Sequence, residues 1–341
     1  MAVNYNMDSE VNSSSTMDLS DYRIVRELGK GGFGTTYLAK DGHGHQYAVK
    51  LIDYQAAIVQ GLSGDEIVGE ASSLRALSEG ECNPYMICYY GSWDFMYQGK
   101  RYIAIVSNFV DGMSLRDWLN QPQFAGGYIA PTVLWPVITQ LLLGLQYIHN
   151  KGYAHRDIKP ENIMITANLS IKYIDFGLAC TRTCQTGVCY DSCRGRAGTL
   201  AYDAPEMLNG TYQETLSGAQ KRDIWALLIV CYELAGGNGS FPFNVLDSNG
   251  QWLPEAELIR NIISEPLRAP NYQFDDGRTN QFLYRNLVRD TNIRPNINQL
   301  MQEWMGNVLG RPLLPAPVEV EHGDHQLRHQ LLPVEFQHVI M

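Results

Sequence analysis

Basic residues are in short supply: 26 lysines and arginines stand against 36 aspartates and glutamates, a formal charge of -10. The chain therefore has no basic tract of the kind a phosphate backbone needs for affinity, which argues against nucleic acid as the ligand. Long apolar runs are also lacking. The longest, Ile224 to Ala235, is interrupted by Glu233 and is too short to span a bilayer. Met1 to Glu10 is acidic and has neither the charged nor the apolar region of a signal peptide. Position 2 is Ala, and no cysteine lies near the terminal Val339-Ile340-Met341, so neither common lipid anchor is indicated. The expectation is a soluble, intracellular protein of cytoplasm or nucleus, with no membrane and no nucleic-acid partner. Seven cysteines is an odd number for a disulfide scaffold. What the chain does have is 45% hydrophobic content in 341 residues, enough for a full core in one large or two small domains.

Order is expected to begin near Asp21. Residues 1–20 are polar, with a Ser13-Ser14-Ser15-Thr16 run, and read as a disordered tail. From Tyr22 to Leu28 the apolar Tyr22, Ile24 and Leu28 alternate with Arg23 and Glu27, as in a half-buried strand. Gly29, Gly31, Gly32 and Gly34 follow and let the backbone approach a ligand closely, and Thr35 to Ala39 reads as the returning strand of a hairpin. A dinucleotide fold would need a helix after those glycines, and β-type residues stand there instead. Gln46 to Ile52 is a strand with a single Lys50 among apolar residues. An inward ammonium needs a carboxylate, and Glu70 supplies one on the same helical stripe as Ile67, Leu74 and Leu77. Ile138, Leu141, Leu145 and Ile148 mark a core helix from Pro136 to Asn150. It leads into a polar knot, Tyr153 to Asn162, in which His155, Arg156, Asp157, Lys159, Glu161 and Asn162 lie between two apolar elements.

That knot resembles the catalytic loop of protein kinases, H-R-D-L-x-x-x-N, with Ile158 at the usual Leu. The other segments fit the same family in order: the glycine-rich loop, the Lys50 strand, Glu70, Asp175-Phe176-Gly177, a Gly198-Thr199 element with Tyr202 before Ala204-Pro205-Glu206, and Asp223 in an apolar helix. Lys159 and the K-P-E-N sequence resemble the serine/threonine type. The resemblance, over about residues 21–310, implies an α+β, bilobal fold: an N-lobe antiparallel β-sheet plus one helix (21–107) and a mainly helical C-lobe (108–310). It implies Asp157 as catalytic base, Lys159 beside the transferring phosphoryl, and Asn162 and Asp175 on magnesium. ATP would contact Gly29, Gly31, Gly34, Thr36, Ala48, Lys50 with its partner Glu70, Ser107 at the gatekeeper position, Asn108 and Val110 at the hinge, and Met164. Thr36 departs from the family's Val and brings a hydroxyl near adenine. Arg294 is expected to pair with Glu206, and Thr199 to contact Asp157 and Lys159. Thr181, Thr183, Thr186, Ser192 and Thr199 are the phosphosite candidates in the activation segment. Partners would be proteins with Ser or Thr acceptors, and the negative net charge with Glu161 suggests basic peptides. A nucleotide-binding pseudokinase scaffold is the alternative, and a small-molecule kinase is weakened by the Ala204-Pro205-Glu206 platform.

One stretch lies outside that pattern. Cys180, Cys184, Cys189 and Cys193 are spaced C-x3-C-x4-C-x3-C between the two triplets. Four soft thiolates suit a tetrahedral zinc ion. Disulfides and unligated thiols are the competing readings. Residues 311–341, rich in Pro and His, read as a tail in which His322, His325, His329 and His338 are solvated.

Overall fold

A computed structural model describes residues 19–31, 34–124, 129–185, 188–193, 198–208 and 215–310, with the side chains of 183–190 outside the description. Both tails proposed from sequence, and Gly32 and Thr186, lie beyond it apart from the short turn at Leu19–Asp21.

The N-terminal part, through Asn108, is an antiparallel sheet that carries two helices. Its strands are β1 (Arg23–Lys30), β2 (Gly34–Lys40) and β3 (Gln46–Asp53). Next come α1 (Tyr54–Val59), α2 (Gly64–Leu77), β4 (Tyr89–Tyr97) and β5 (Lys100–Asn108). The strand order is β1-β2-β3-β5-β4. Two expectations change here. β1 is an edge strand with Ile24 46% and Val25 47% exposed, so it is not half-buried as its alternation suggests. The sheet also carries a second, short helix, because the Asp53 carboxylate caps α1 by accepting from Ala56 N at 3.0 Å. α2 starts with a Ser63/Glu66 capping box, which offsets the poor helix formers Gly69, Ser72 and Ser73.

After β6 (Gly112–Ser114) and α3 (Leu115–Leu119) the chain is mostly helical. α4 (Pro131–Asn150) runs a turn and a half further toward the N-terminus than its apolar stripe predicts, with Pro136 inside it. It is long and apolar enough to cross a bilayer, yet Leu134, Val137, Ile138, Leu141, Leu142 and Leu145 are all in the protein core. Then come β7 (Tyr153–Ala154), β8 (Ile163–Thr166), β9 (Ile171–Tyr173), β10 (Cys180–Gln185) and β11 (Val188–Asp191). α5 (Leu216–Gly236) is buried along nearly its whole length, and α6 (Glu255–Ser264), α7 (Arg278–Asn286) and α8 (Ile297–Glu303) surround it and α4. One apolar cluster runs from Ile67 and Leu74 of α2 through Phe176 to Trp225 of α5, so both halves share a core at the cleft.

Candidate active site

The polar knot is built as a rigid platform. Asp223, 1% exposed in α5, accepts from the backbone N–H of His155 (2.7 Å) and of Arg156 (2.8 Å), and its Oδ2 lies 2.9 Å from His149 Nε2. Burial alone would raise its pKa, but the hydrogen bonds and charge of the histidines hold the carboxyl below its ordinary value. The fixed loop keeps Arg156 at a φ of 69°, a left-handed conformation that a non-glycine residue adopts only when its surroundings hold it there.

On this platform Asp157, Lys159, Asn162 and Thr199 converge. Asn162 Nδ2 donates to Asp157 Oδ2 (2.7 Å) and to its carbonyl (2.9 Å), and Lys159 Nζ lies 2.8 Å from Asp157 Oδ2. Thr199 Oγ1 accepts from Lys159 Nζ at 2.8 Å and donates to Asp157 Oδ1 at 3.2 Å, the contacts expected of it. The result is a carboxylate aimed by two donors, beside an ammonium.

Across the cleft, Lys50 Nζ donates to both Glu70 oxygens (2.7 and 2.8 Å) and to Asp175 Oδ1 (2.9 Å). Burial disfavours the ammonium, but the two carboxylates outweigh it and keep Lys50 charged well past its ordinary pKa. Asp175 is drawn below its usual value by Lys50 against the pull of burial, whereas burial dominates at Glu70 and raises it. Asp175 also sits at a φ of 61°. Phe176 is 1% exposed, its ring 4.9 Å from that of His155.

Most of the remaining predicted residues lie on strands of the sheet and on β8. Ala48 pairs in register with Leu38 and Ser107, and Thr36 with Lys50. Ser107 is 7% exposed and Val110 is 9% exposed. Asn108 spends its N–H on the Cys88 carbonyl (3.2 Å) and its side-chain oxygen on Cys88 N (2.7 Å). Met164 is half-buried on β8, opposite Ser114. Packing demands glycine at Gly34 and not at Gly29. A Cβ at Gly34 would meet the Leu51 carbonyl, so packing alone requires it, whereas at Gly29 a Cβ would meet no described atom within 4 Å. Gly29 therefore leaves open space of the kind a phosphate cradle uses.

Residues 22–305 match the protein kinase domain. The chain belongs to that family. It is 30% identical over 294 residues to mitogen-activated protein kinase kinase SIPKK of Nicotiana tabacum, an alignment covering 85% of this chain and 74% of the relative. It is 26% identical over 295 residues to mitogen-activated protein kinase kinase 1 of Arabidopsis thaliana, with 84% and 74% covered. CBL-interacting serine/threonine-protein kinase 2 of Arabidopsis thaliana is 31% identical over 254 residues, covering 74% of this chain and 49% of the relative. The chain is a serine/threonine protein kinase with the bilobal fold, and the family implies ATP, magnesium and protein substrates.

Two features of this kinase differ from the sequence reading. Cys180 and Cys193 form a disulfide with Cα atoms 5.0 Å apart, while Cys184 stands opposite Cys189 in the β10–β11 ladder. A sulfur spent in a disulfide is no thiolate ligand, so Cys180 and Cys193, bonded to each other, do not complete a four-thiolate site. The zinc reading of Cys180, Cys184, Cys189 and Cys193 is replaced by a disulfide at the outer pair. The second feature is Arg116 of α3, which the sequence did not mark. It donates to Glu161 Oε1 (2.9 Å), to Glu233 Oε2 (2.7 Å), to Asn238 and to the Tyr202 hydroxyl. Glu161, read as an attractor of basic peptides, is therefore already paired.

The expected Glu206 to Arg294 pair is present and bidentate, at 2.7 and 2.9 Å.

Proposed function

We propose that Asp157 takes the proton of a Ser or Thr hydroxyl as its oxygen attacks the γ-phosphorus of ATP and the bond to the ADP oxygen breaks. The observation that carries this reading is the convergence of Asp157, Lys159, Asn162 and Thr199 within hydrogen-bonding reach. Asn162 orients the base, and the Lys159 ammonium stabilises charge on the equatorial phosphoryl oxygens. Thr199 ties that pair to the segment on which an acceptor peptide would lie.

Lys50, held charged by Glu70 and Asp175, is placed to bind the α- and β-phosphates, with Gly29, Gly31 and Gly34 at the triphosphate. Adenine recognition falls to the Asn108 carbonyl and to Val110, because the Asn108 N–H is already used. Ala48, Met164 and Thr36 would contact the ring, with Ser107 behind it. The donor set also fits magnesium. Asn162 commits its amide nitrogen to Asp157, which leaves its carbonyl oxygen to face a cation beside the Asp175 carboxylate. Two hard oxygens, completed by water and phosphate, are what this ion accepts, and when bound it neutralises phosphate charge.

The charge balance argues against nucleic-acid partners, and the core position of α4 supports a soluble enzyme. Incubation of the full chain with labelled ATP, magnesium and generic protein substrates tests the reading. Label on serine and threonine is the expected result, and label on tyrosine alone, or none, contradicts it.

A further inference from the structure

Six of the seven cysteines fall into pairs. Cys82 is joined to Cys88 between α2 and β4, Cys180 is joined to Cys193, and Cys184 faces Cys189 in register, which leaves only the buried Cys231. We propose that Cys180 and Cys193 are a redox modification site whose disulfide holds the activation segment in its substrate-accepting form, and whose reduction turns phosphate transfer to proteins down.

Position makes the case. Cys180 is 2% exposed and Cys193 5% exposed, and they form a small cluster with Ala154 and Ala219. Ala154 pairs with Cys180 in the β7–β10 ladder and directly precedes His155. Ala219 lies one helical turn before Asp223, the carboxylate that holds the catalytic loop. The bridge thus joins the two feet of the β10–β11 hairpin to each other where they pack on the two elements that place Asp157. Among the described residues, the hairpin is also held by the β7–β10 ladder and by Thr181 Oγ1 donating to the Gly152 carbonyl (2.7 Å) and Leu216 N donating to Asp191 Oδ2 (2.9 Å), while Ser192 N and Oγ donate to the Thr181 carbonyl (2.8 and 2.9 Å) between its feet.

Closing a loop with a sequence separation of 13 removes much of the freedom the open segment would have. Two reduced thiols still pack as small apolar groups, so the core beneath stays filled and the change is confined to the segment. Thr199, six residues past Cys193, contacts Asp157 and Lys159, so loosening the hairpin acts at the acceptor side of the cleft. Among the described residues, the hydrogen bonds of the nucleotide side, built on Lys50, Glu70 and Asp175, do not involve the pair.

The chemistry is exchange with a small disulfide such as oxidised glutathione. When the feet of the hairpin part and expose the pair, the thiolate of one cysteine attacks a glutathione sulfur and expels a glutathione thiolate. The second cysteine then attacks the mixed disulfide and releases the other. Two protein thiols lose two electrons and two protons, and one glutathione disulfide becomes two glutathione thiols. In a compartment rich in small thiols, such a bridge is a reversible sensor rather than a permanent staple.

The activity arm of the test rests on the kinase reading, and the mapping arm does not. The full chain is equilibrated with reduced and oxidised glutathione in varied ratio, then mapped by mass spectrometry without reductant and assayed. Expected are a Cys180 to Cys193 cross-link in the oxidised chain and a fall of about tenfold or more in kcat/KM for a protein substrate on reduction. Reoxidation should restore activity, and ATP affinity should not move. Cys180→Ser/Cys193→Ser should stay low and ignore redox state while binding ATP as the native chain does, whereas Cys82→Ser/Cys88→Ser should keep the response. Absence of the cross-link, equal activity in both states, or stoichiometric zinc overturns the proposal. Should neither state transfer phosphate, the kinase reading fails separately. Proteolysis of the hairpin then decides the bridge: protection only when oxidised supports it, and equal cleavage refutes it.

Discussion

Lys50 and Arg116 are both cations among carboxylates, yet only the first was legible in the sequence. Lys50 interrupts an apolar strand and Glu70 interrupts an apolar helix stripe, so each advertises the other through the cost of burying an unpaired charge. Lys50→Met should lower kcat by about 100-fold or more, since it removes a preorganised charge at the phosphates and leaves Glu70 and Asp175 facing each other. Steady-state kinetics at saturating ATP checks this. Arg116 follows a hinge and looks like any surface arginine, because its partners are 45 and 117 residues away in sequence. The only signal was Glu233, a carboxylate inside the apolar run of α5 and 0% exposed. Arg116→Met should cost about 3 kcal/mol by urea unfolding, because it strands that carboxylate. Adding Glu233→Gln should return part of the loss.

At the scale of elements, the motifs fell on the strands and helices expected of them, while the edges and pairings were harder to read. β1 alternates as a buried strand would, but an edge strand buries little, and alternation cannot say where in a sheet a strand lies. The apolar stripe of Ile138, Leu141, Leu145 and Ile148 places the start of α4 near Pro136, although a proline commonly occupies a helix's first turn. Here Pro131 occupies that place, and Pro136 sits five residues further into the helix. The cysteine spacing could not choose between metal and disulfide, since the choice depends on hairpin register, which spacing leaves open. The α5 to catalytic-loop contact makes a pH prediction. The Asp223 carboxyl lies lower in the folded chain than in the unfolded one, so its contribution is full above the unfolded value and is lost as pH falls through the folded value. The stability gap between native chain and Asp223→Asn should be constant from about pH 7 to 5 and narrow below about pH 4. A gap that widens in acid would contradict the assignment.

For the whole molecule, a cleft between a sheet and a helical body brings together two charge clusters from well-separated stretches of the sequence. Lys50 and Glu70 come from the first part, and Asp175 reaches them across 125 residues. Asp157, Lys159 and Asn162 face that triad from a loop braced by α5. This division assigns binding of the nucleotide to one wall and proton transfer to the other. The most direct test separates the two in one protein: turnover on a protein substrate and ATP affinity measured in parallel for the native chain and Asp157→Asn. The account predicts a fall of about 10² to 10⁴ in kcat with ATP affinity unchanged. Turnover near the native rate in Asp157→Asn would contradict it.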